Sequence, residues 1–511
     1  MYPAGSNMPE PLSLLPAASA HSGPGRGSHV AEAEVWNQPL CETSGSRFKP
    51  SRFNAHVLEP DGSLLLYNSF TGSRCIIPAR GAAAAQSYVS AQGSDGPLDE
   101  LGTYLHTKGY LVEESVDEMA RLAYRASLQQ FRTDTLQLFL LSAEECNFRC
   151  VYCSQQFKRG LMAPDIRHGV RSLVEARIGK LGSLDISWFG GEPMLGFEVI
   201  EDLAPYLQDL ARRHGVAFSS HITTNGYLLT PARSAQMVEW GISSYQITVD
   251  GDAAEHDRHR PLREGGATFQ TILENVLAMR ELPGPFLVRL RVNFDHSNLP
   301  MVAPLLERLR NAIGRDRRFL ISFFPVGKWG GPHDDQLDVC TGMEAFDAEA
   351  GLRQAAREAG LAPEPLGERL RPVPANICYA ARPYSLIIGA DGKIMKCTVA
   401  LDTLDQNVVG RLRRDGTLEI NSDRMAAWVR PYYENDSTCR TCFFVPVCQG
   451  VVCPLPRVTG GDRPCPPAKV AIQRTLRETA REPGCGSDSL VNINVVRRPD
   501  RASAESVMPT S

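Results

Sequence analysis

Cys146-Asn147-Phe148-Arg149-Cys150-Val151-Tyr152-Cys153 packs three thiols into eight residues, directly after the apolar run Leu136 to Leu141. A [4Fe–4S] cube needs soft sulfur ligands at adjacent corners. Three cysteines on one tight loop supply three corners and leave the fourth iron without a protein ligand. An iron in that position is free to take a small molecule. The competing reading is a zinc knuckle, but no histidine stands near the loop to complete a tetrahedral set.

Outward from this loop the chain alternates. Strand-like apolar runs recur at 136–141, 184–189, 218–223, 244–249, 286–294 and 319–325, with amphipathic helical stretches between them. Such βα units imply a parallel sheet with right-handed crossovers, either doubly wound or closed into part of a barrel. The unusual sequences all fall where predicted strands end, which is where a βα barrel carries its chemistry, so the expected fold is α/β with a partial (β/α)6 barrel. The second strand ends in Gly190-Gly191-Glu192-Pro193, whose glycines let backbone approach a ligand and whose carboxylate can accept from an ammonium. The third ends in Thr223-Thr224-Asn225-Gly226, either short polar groups for a ligand's hydroxyls or a simple Asx-Gly turn. After the fourth come Thr248-Val249-Asp250-Gly251 and His256-Asp257-Arg258-His259-Arg260, and Asn293 closes the fifth.

C-x3-C-x2-C followed one βα unit later by G-G-E-P resembles the signature of the radical SAM enzymes. The resemblance implies that S-adenosylmethionine chelates the open iron of a cluster held by Cys146, Cys150 and Cys153. By the same resemblance Gly190, Gly191, Glu192 and Pro193 hold its amino group, while Thr224 and Asn225 lie near its ribose. Tyr152 would stand against its adenine, unless it is a core aromatic. Arg260 matches the arginine that meets the cofactor carboxylate, with Arg258 as competitor, since a guanidinium suits a carboxylate in two-point geometry. His256 and His259 read as structural, because cysteine already accounts for the metal.

A second array follows: Cys378, Gly392, Cys397, then Cys439, Cys442, Cys448, Cys453 and Cys465. It resembles the SPASM extension of radical SAM enzymes, although four residues rather than three separate Cys448 from Cys453. That resemblance implies two auxiliary [4Fe–4S] clusters. Cys439, Cys442, Cys448 and Cys465 would hold one. Cys378, Cys397 and Cys453 would hold the other, its last iron open or closed by Cys340 or another group. A pair of zinc ribbons is the alternative.

The 511 residues give room for two or three domains, with ordinary hydrophobic content of 43%. A net charge of −4 offers no basic field for nucleic acid, and no run of apolar residues is long enough for a membrane span. Fourteen cysteines gathered at metal-ligand spacings, without an export signal, point to a reducing cytoplasmic compartment rather than a disulfide protein. Residues 1–45 and 487–511 read as flexible tails, with Cys41 and Cys485 in or beside them. Between them the expected units are a small α+β module at 50–130, the barrel at 134–335, a helical connection at 336–376 and the auxiliary-cluster domain at 377–486. In the module, Ala55 to Leu58 and Leu64 to Tyr67 flank Pro60-Asp61-Gly62 as a hairpin, with helices at about 98–108 and 116–130. This order resembles the winged-helix modules that hold a precursor's leader peptide by adding it to a sheet edge. A module that only packs is the other reading.

The resemblance as a whole implies a peptide maturase. It would cleave S-adenosylmethionine reductively and modify side chains of a ribosomally made precursor peptide, with electrons from a flavodoxin or ferredoxin. Alternatives are an anaerobic sulfatase maturase forming formylglycine, a small-molecule dehydrogenase, and a metal-stabilised peptide-binding scaffold without chemistry. No spacing selects a general base.

Overall fold

The computed structural model describes residues 47–90, 96–157, 159–372, 377–431, 436–450, 453–461 and 464–481. Both expected tails, with Cys41 and Cys485, lie outside the described residues.

The N-terminal module contains β1 (Phe48–Pro50), β2 (Asn54–Leu58), β3 (Leu64–Asn68), β4 (Arg74–Ile77) and β5 (Leu111–Glu113). Strands β2, β3 and β4 form an antiparallel sheet, and β1 pairs separately with β5. The hairpin turns where Gly62 takes φ 81°, a left-handed conformation suited to glycine. The sequence anticipated helices Glu100–Thr107 and Glu118–Gln130, each begun by an aspartate that accepts from the first-turn amides. It missed helix Ala79–Ser90, where an alanine run hides the apolar period.

Six parallel strands follow: β6 (Thr135–Ala143), β7 (Ser183–Gly190), β8 (Ala217–Thr224), β9 (Ile242–Thr248), β10 (Leu287–Phe294) and β11 (Phe319–Pro325). They lie side by side in chain order. With right-handed crossovers, an unbroken order puts every connecting helix on one face, whereas a doubly wound sheet would reverse order partway. The other face is left as the inner wall of a partial barrel. Along β7, Leu184, Ile186 and Trp188 bury against the helices while Asp185, Ser187 and Phe189 remain half-buried on the inner wall. Helix Phe197–Arg213 shows the matching pattern, burying Val199, Ile200, Leu203, Ala204, Leu207, Leu210 and Ala211 at three- and four-residue spacing. Burial of each large side chain contributes about 1.5–3 kcal/mol, so this outer layer is the main source of the barrel's stability.

The sheet does not end with the barrel. β12 (Ser385–Ile388) pairs in parallel with β6, and β13 (Lys393–Met395), β14 (Val408–Leu412) and β15 (Leu418–Ile420) continue it antiparallel, giving ten strands in one sheet. The cysteine-rich C-terminal segment is thereby built onto the barrel's first strand. Beyond it, short helices Ser437–Arg440, Val445–Cys448 and Pro467–Val470 and helix Ile472–Ala480 fold back on the N-terminal module. Val57, Leu65 and Tyr67 share an apolar cluster with Phe444, Val447, Cys448, Ala468 and Leu476. The Tyr67 hydroxyl donates to Leu370 O at 2.6 Å, and Arg477 pairs with Glu59 at 2.8 Å. Among the described residues no helix is long and apolar enough to cross a membrane.

Candidate active site

The cysteine loop leaves β6 and is pinned from the far side of the sheet. Val151 N donates to His259 O at 3.0 Å, Arg149 N to Pro261 O at 3.0 Å, and Arg263 N to Asn147 O at 2.7 Å. Phe148, fully buried, anchors the middle of the loop. The Cys146 sulfur accepts from Phe148 N at 3.3 Å. Burial raises the pKa of all three thiols. For Cys146 the charge of Glu192 adds to this, whereas Arg260 opposes it at Cys150, which still reaches about 11. Thiols held protonated by burial suit a site where metal replaces the proton.

At Gly190 and Gly191 the space of a side chain is taken by the chain's own backbone. A Cβ on Gly190, whose φ is 142°, would lie 2.0 Å from Ala143 O, and one on Gly191 would lie 2.4 Å from Glu145 O. The missing side chains therefore let β7's exit close on the start of the cysteine loop, sealed by Gly191 N to Ala143 O at 3.0 Å and Glu192 N to Glu145 O at 2.8 Å. Pro193 opens the short turn that follows, and its carbonyl accepts from Ser142 Oγ at 3.0 Å. Glu192 is fully buried. Its Oε1 accepts from Met194 N at 3.0 Å and Thr224 Oγ1 at 2.6 Å, and its Oε2 from Asn225 N at 2.7 Å. Burial raises its pKa despite these donors. Oε2 keeps acceptor capacity for one more donor, which an ammonium would satisfy. Asn225 Nδ2 reaches Asn147 Oδ1 at 2.8 Å, tying the third strand's end to the cysteine loop.

Opposite Glu192 stands a polar hub. The Tyr152 hydroxyl donates to Asp250 and accepts from Arg260 at 2.6 Å and from Asn293 Nδ2 at 3.0 Å. Asp250, fully buried, also accepts from Asn293 N at 2.8 Å. Burial works against the charge of Arg260, but Cys150, Tyr152 and Asp250 outweigh it and hold its pKa up. Its Nε is buried without a partner. Arg258 instead turns outward to Glu255 at 3.1 Å. His256 Nδ1 accepts from Asp250 N at 3.0 Å, a structural role.

The structure thus brings Cys146, Cys150, Cys153, Tyr152, Glu192, Thr224, Asn225, Arg260 and Asn293 to one end of the sheet. Sequence reasoning passed over the side chains of Asp250 and Asn147. It also passed over polar groups on the inner wall: Asp185 takes Gln137 at 3.0 Å, Ser219 at 2.6 Å and His221 at 2.7 Å. The available signal was parity, a polar residue at every second position of β7 and β8.

The C-terminal thiols form two groups. Cys439, Cys448 and Cys465 act electrostatically on one another and on Cys442, and Cys453 does so with Cys378 and Cys397. Burial leads in raising Cys378, Cys397, Cys439, Cys448 and Cys453, to about 12 at Cys448 and at Cys397. Cys442 Sγ accepts from Phe444 N at 3.3 Å, the same contact that Cys146 makes. Asn407 fixes the Cys397 turn, accepting from Cys397 N at 2.8 Å and donating to Cys397 O at 2.8 Å. Phe139 on the inner wall meets Tyr379, next to Cys378, with ring centroids 4.5 Å apart. Cys340 joins neither group: it is buried, and its charged neighbours are Glu344, Asp295 and Asp338. Among the described residues no three His, Cys, Asp or Glu side chains close on a single ion.

These features have counterparts elsewhere. Residues 140–307 match the model of the Radical SAM superfamily. The AdoMet-dependent heme synthase of Methanosarcina barkeri is 26% identical over 198 residues, 38% of this chain and 51% of that one. The serine-type anaerobic sulfatase-maturating enzyme of Klebsiella aerogenes is 27% identical over 135 residues, 26% of this chain and 33% of that one. The chain thus spans about half or less of the length of these curated relatives. A solved structure described as native anSMEcpe with bound AdoMet and Cp18Cys peptide superposes with a TM-score of 0.51 at 15% identity, covering 68% of this chain and 96% of that one. It shares the fold. The matched segment carries the cysteine loop, Glu192 and Arg260 alike, so this part of the chain is similar to the Radical SAM superfamily.

Proposed function

We propose that the chain is a radical SAM maturase that modifies side chains of a peptide or protein. The observation that carries this is the arrangement around the cysteine loop. A buried carboxylate with spare acceptor capacity and a buried guanidinium with an unpartnered Nε flank three thiols. That is the complement of an amino acid's ammonium and carboxylate, placed beside a cluster with one open corner.

Cys146, Cys150 and Cys153 would hold the barrel cluster, Glu192 the ammonium of S-adenosylmethionine, and Arg260 its carboxylate. The bound cofactor supplies hydrogen abstraction from unactivated carbon. The chain's own part is placement. Tyr152 and Asp250 fix Arg260, Asn225 and Asn147 lock two strand ends together, and the inner wall offers a substrate the polar surface around Asp185 and His221. Cys439, Cys442, Cys448 and Cys465, and separately Cys378, Cys397 and Cys453, would hold two auxiliary clusters able to take up single electrons. A low-potential flavodoxin or ferredoxin would reduce the system.

Two features favour a ribosomally made precursor as substrate: the auxiliary thiol groups and an N-terminal antiparallel sheet able to accept an added strand. Likeness to the Klebsiella sulfatase-maturating enzyme supports a second reading, oxidation of a sulfatase Cys or Ser to formylglycine.

The test is iron, sulfide and S-adenosylmethionine cleavage, measured on anaerobically reconstituted protein and on a variant with Cys146, Cys150 and Cys153 changed to Ala. About twelve irons falling to about eight, with cleavage abolished, is the expected result. Zinc in place of iron, or cleavage that survives the triple change, leaves a binding scaffold. Mass spectrometry of a co-expressed precursor peptide against a sulfatase-derived Cys peptide separates the two substrate readings.

A further inference from the structure

Cys465 is the exposed member of its thiol group, and helix Pro467–Val470 begins two residues after it. Lys469, four residues beyond Cys465, turns back along this helix so that its Nζ lies 3.0 Å from Cys465 Sγ. The ammonium also acts on Cys442, the second sulfur of the group. No carboxylate pairs with Lys469 among the described residues, and its hydrogen-bond partners are sulfurs. The other lysine beside a thiol group behaves differently: Lys396 is fully buried next to Cys397, yet it donates to the carbonyls of Arg382 and Ser385.

Resting on the auxiliary-cluster reading above, we propose that Lys469 is a positioning residue for the electronic state of the iron–sulfur centre that Cys439, Cys442, Cys448 and Cys465 would hold. A cationic donor on a ligating sulfur withdraws electron density from the cluster. It thereby favours the reduced form, which carries one more negative charge. One electron enters and no atom is transferred; dithionite supplies the electron in the test. The consequence is a higher potential at this centre than its four thiolates alone would set, which makes it a resting place for an electron taken up at the Cys378, Cys397 and Cys453 group.

The experiment is a dithionite titration of the full chain followed by electron paramagnetic resonance. It is done in the background with Cys146, Cys150 and Cys153 changed to Ala, so that only the C-terminal centres report. Lys469→Met should shift one of the two potentials downward and leave the other in place as an internal control. Lys469→Arg should return the shifted potential toward its original value, and Lys469→Glu should lower it further. Two results overturn the proposal: unshifted potentials in Lys469→Met at full iron content, or equal loss of iron from Lys469→Met and Lys469→Arg, the mark of a packing contact. Zinc in place of iron in the unsubstituted background overturns the auxiliary-cluster reading along with it, and metal analysis tells these cases apart.

Discussion

At Glu192 one buried carboxylate holds three donors from two strand ends. Changing it to Ala leaves Thr224 Oγ1 and the amides of Met194 and Asn225 without a partner, at a cost of roughly 1–3 kcal/mol for each group left buried. Glu192→Ala should therefore unfold at lower temperature. Glu192→Gln keeps an acceptor and should fold, but loses the charge an ammonium would meet. In the iron-loaded protein, S-adenosylmethionine should raise the unfolding midpoint of the wild type and raise that of Glu192→Gln much less, as calorimetry would record. Gly190 poses a steric question instead. Its Cβ would lie 2.0 Å from Ala143 O, so Gly190→Ala should fail to accumulate as folded protein. At Gly179, where a Cβ meets nothing within 4 Å, the same change should leave the midpoint nearly unmoved. The motif made these residues visible in the sequence. It did not reveal that the Gly190 and Gly191 gaps are filled by the chain itself. Nor did it reveal the Tyr152 hydroxyl bonded to Asp250, since those residues lie 98 positions apart and no local pattern links them.

The six barrel strands were legible because each runs seven to nine residues and most, such as β7, β10 and β11, keep one face apolar. β12 was not. Ser385-Leu386-Ile387-Ile388 is too short to carry a period, and its pairing partner β6 lies about 250 positions earlier, so the strand is defined by tertiary pairing alone. A similar long-range clamp closes the outer edge of the barrel. His296, just past β10, places Nδ1 2.8 Å from Asp338 and Nε2 2.7 Å from Glu344 at the start of helix Gly342–Glu358. The Glu344 contact leads in raising the histidine's pKa above its ordinary 6.5, followed by the Asp338 contact. For a group whose pKa is raised on folding, the stabilisation is fully present below pH 6.5 and is lost as pH rises through the folded value. Thermal unfolding from pH 6 upward should show a decline in the wild type that His296→Ala lacks. The exposure of the pair to solvent keeps the difference small.

On the scale of the whole molecule, the segments that the sequence separates are joined. The barrel and the cysteine-rich segment share one sheet, and that segment returns to cover the N-terminal module. The sequence suggested separate units because composition and cysteine spacing change at their borders; it held no sign of the packing between Tyr67 and the Cys448 region, which depends on shape rather than pattern. This contact would couple the proposed metal site to the module. If Cys439, Cys442, Cys448 and Cys465 lose their metal, Phe444, Val447 and Ala468 lose the frame that holds them against Val57, Leu65 and Tyr67. Hydrogen exchange at the amides of β2 and β3 should quicken in chelator-treated protein relative to iron-loaded protein, with β8 and β9 protected in both. With that reading, the same contact would give the molecule a form of quality control. Under the proposed function, a chain with an incomplete metal complement would present a loosened edge to an incoming peptide, and recognition would be withheld until the end that takes up single electrons had been assembled.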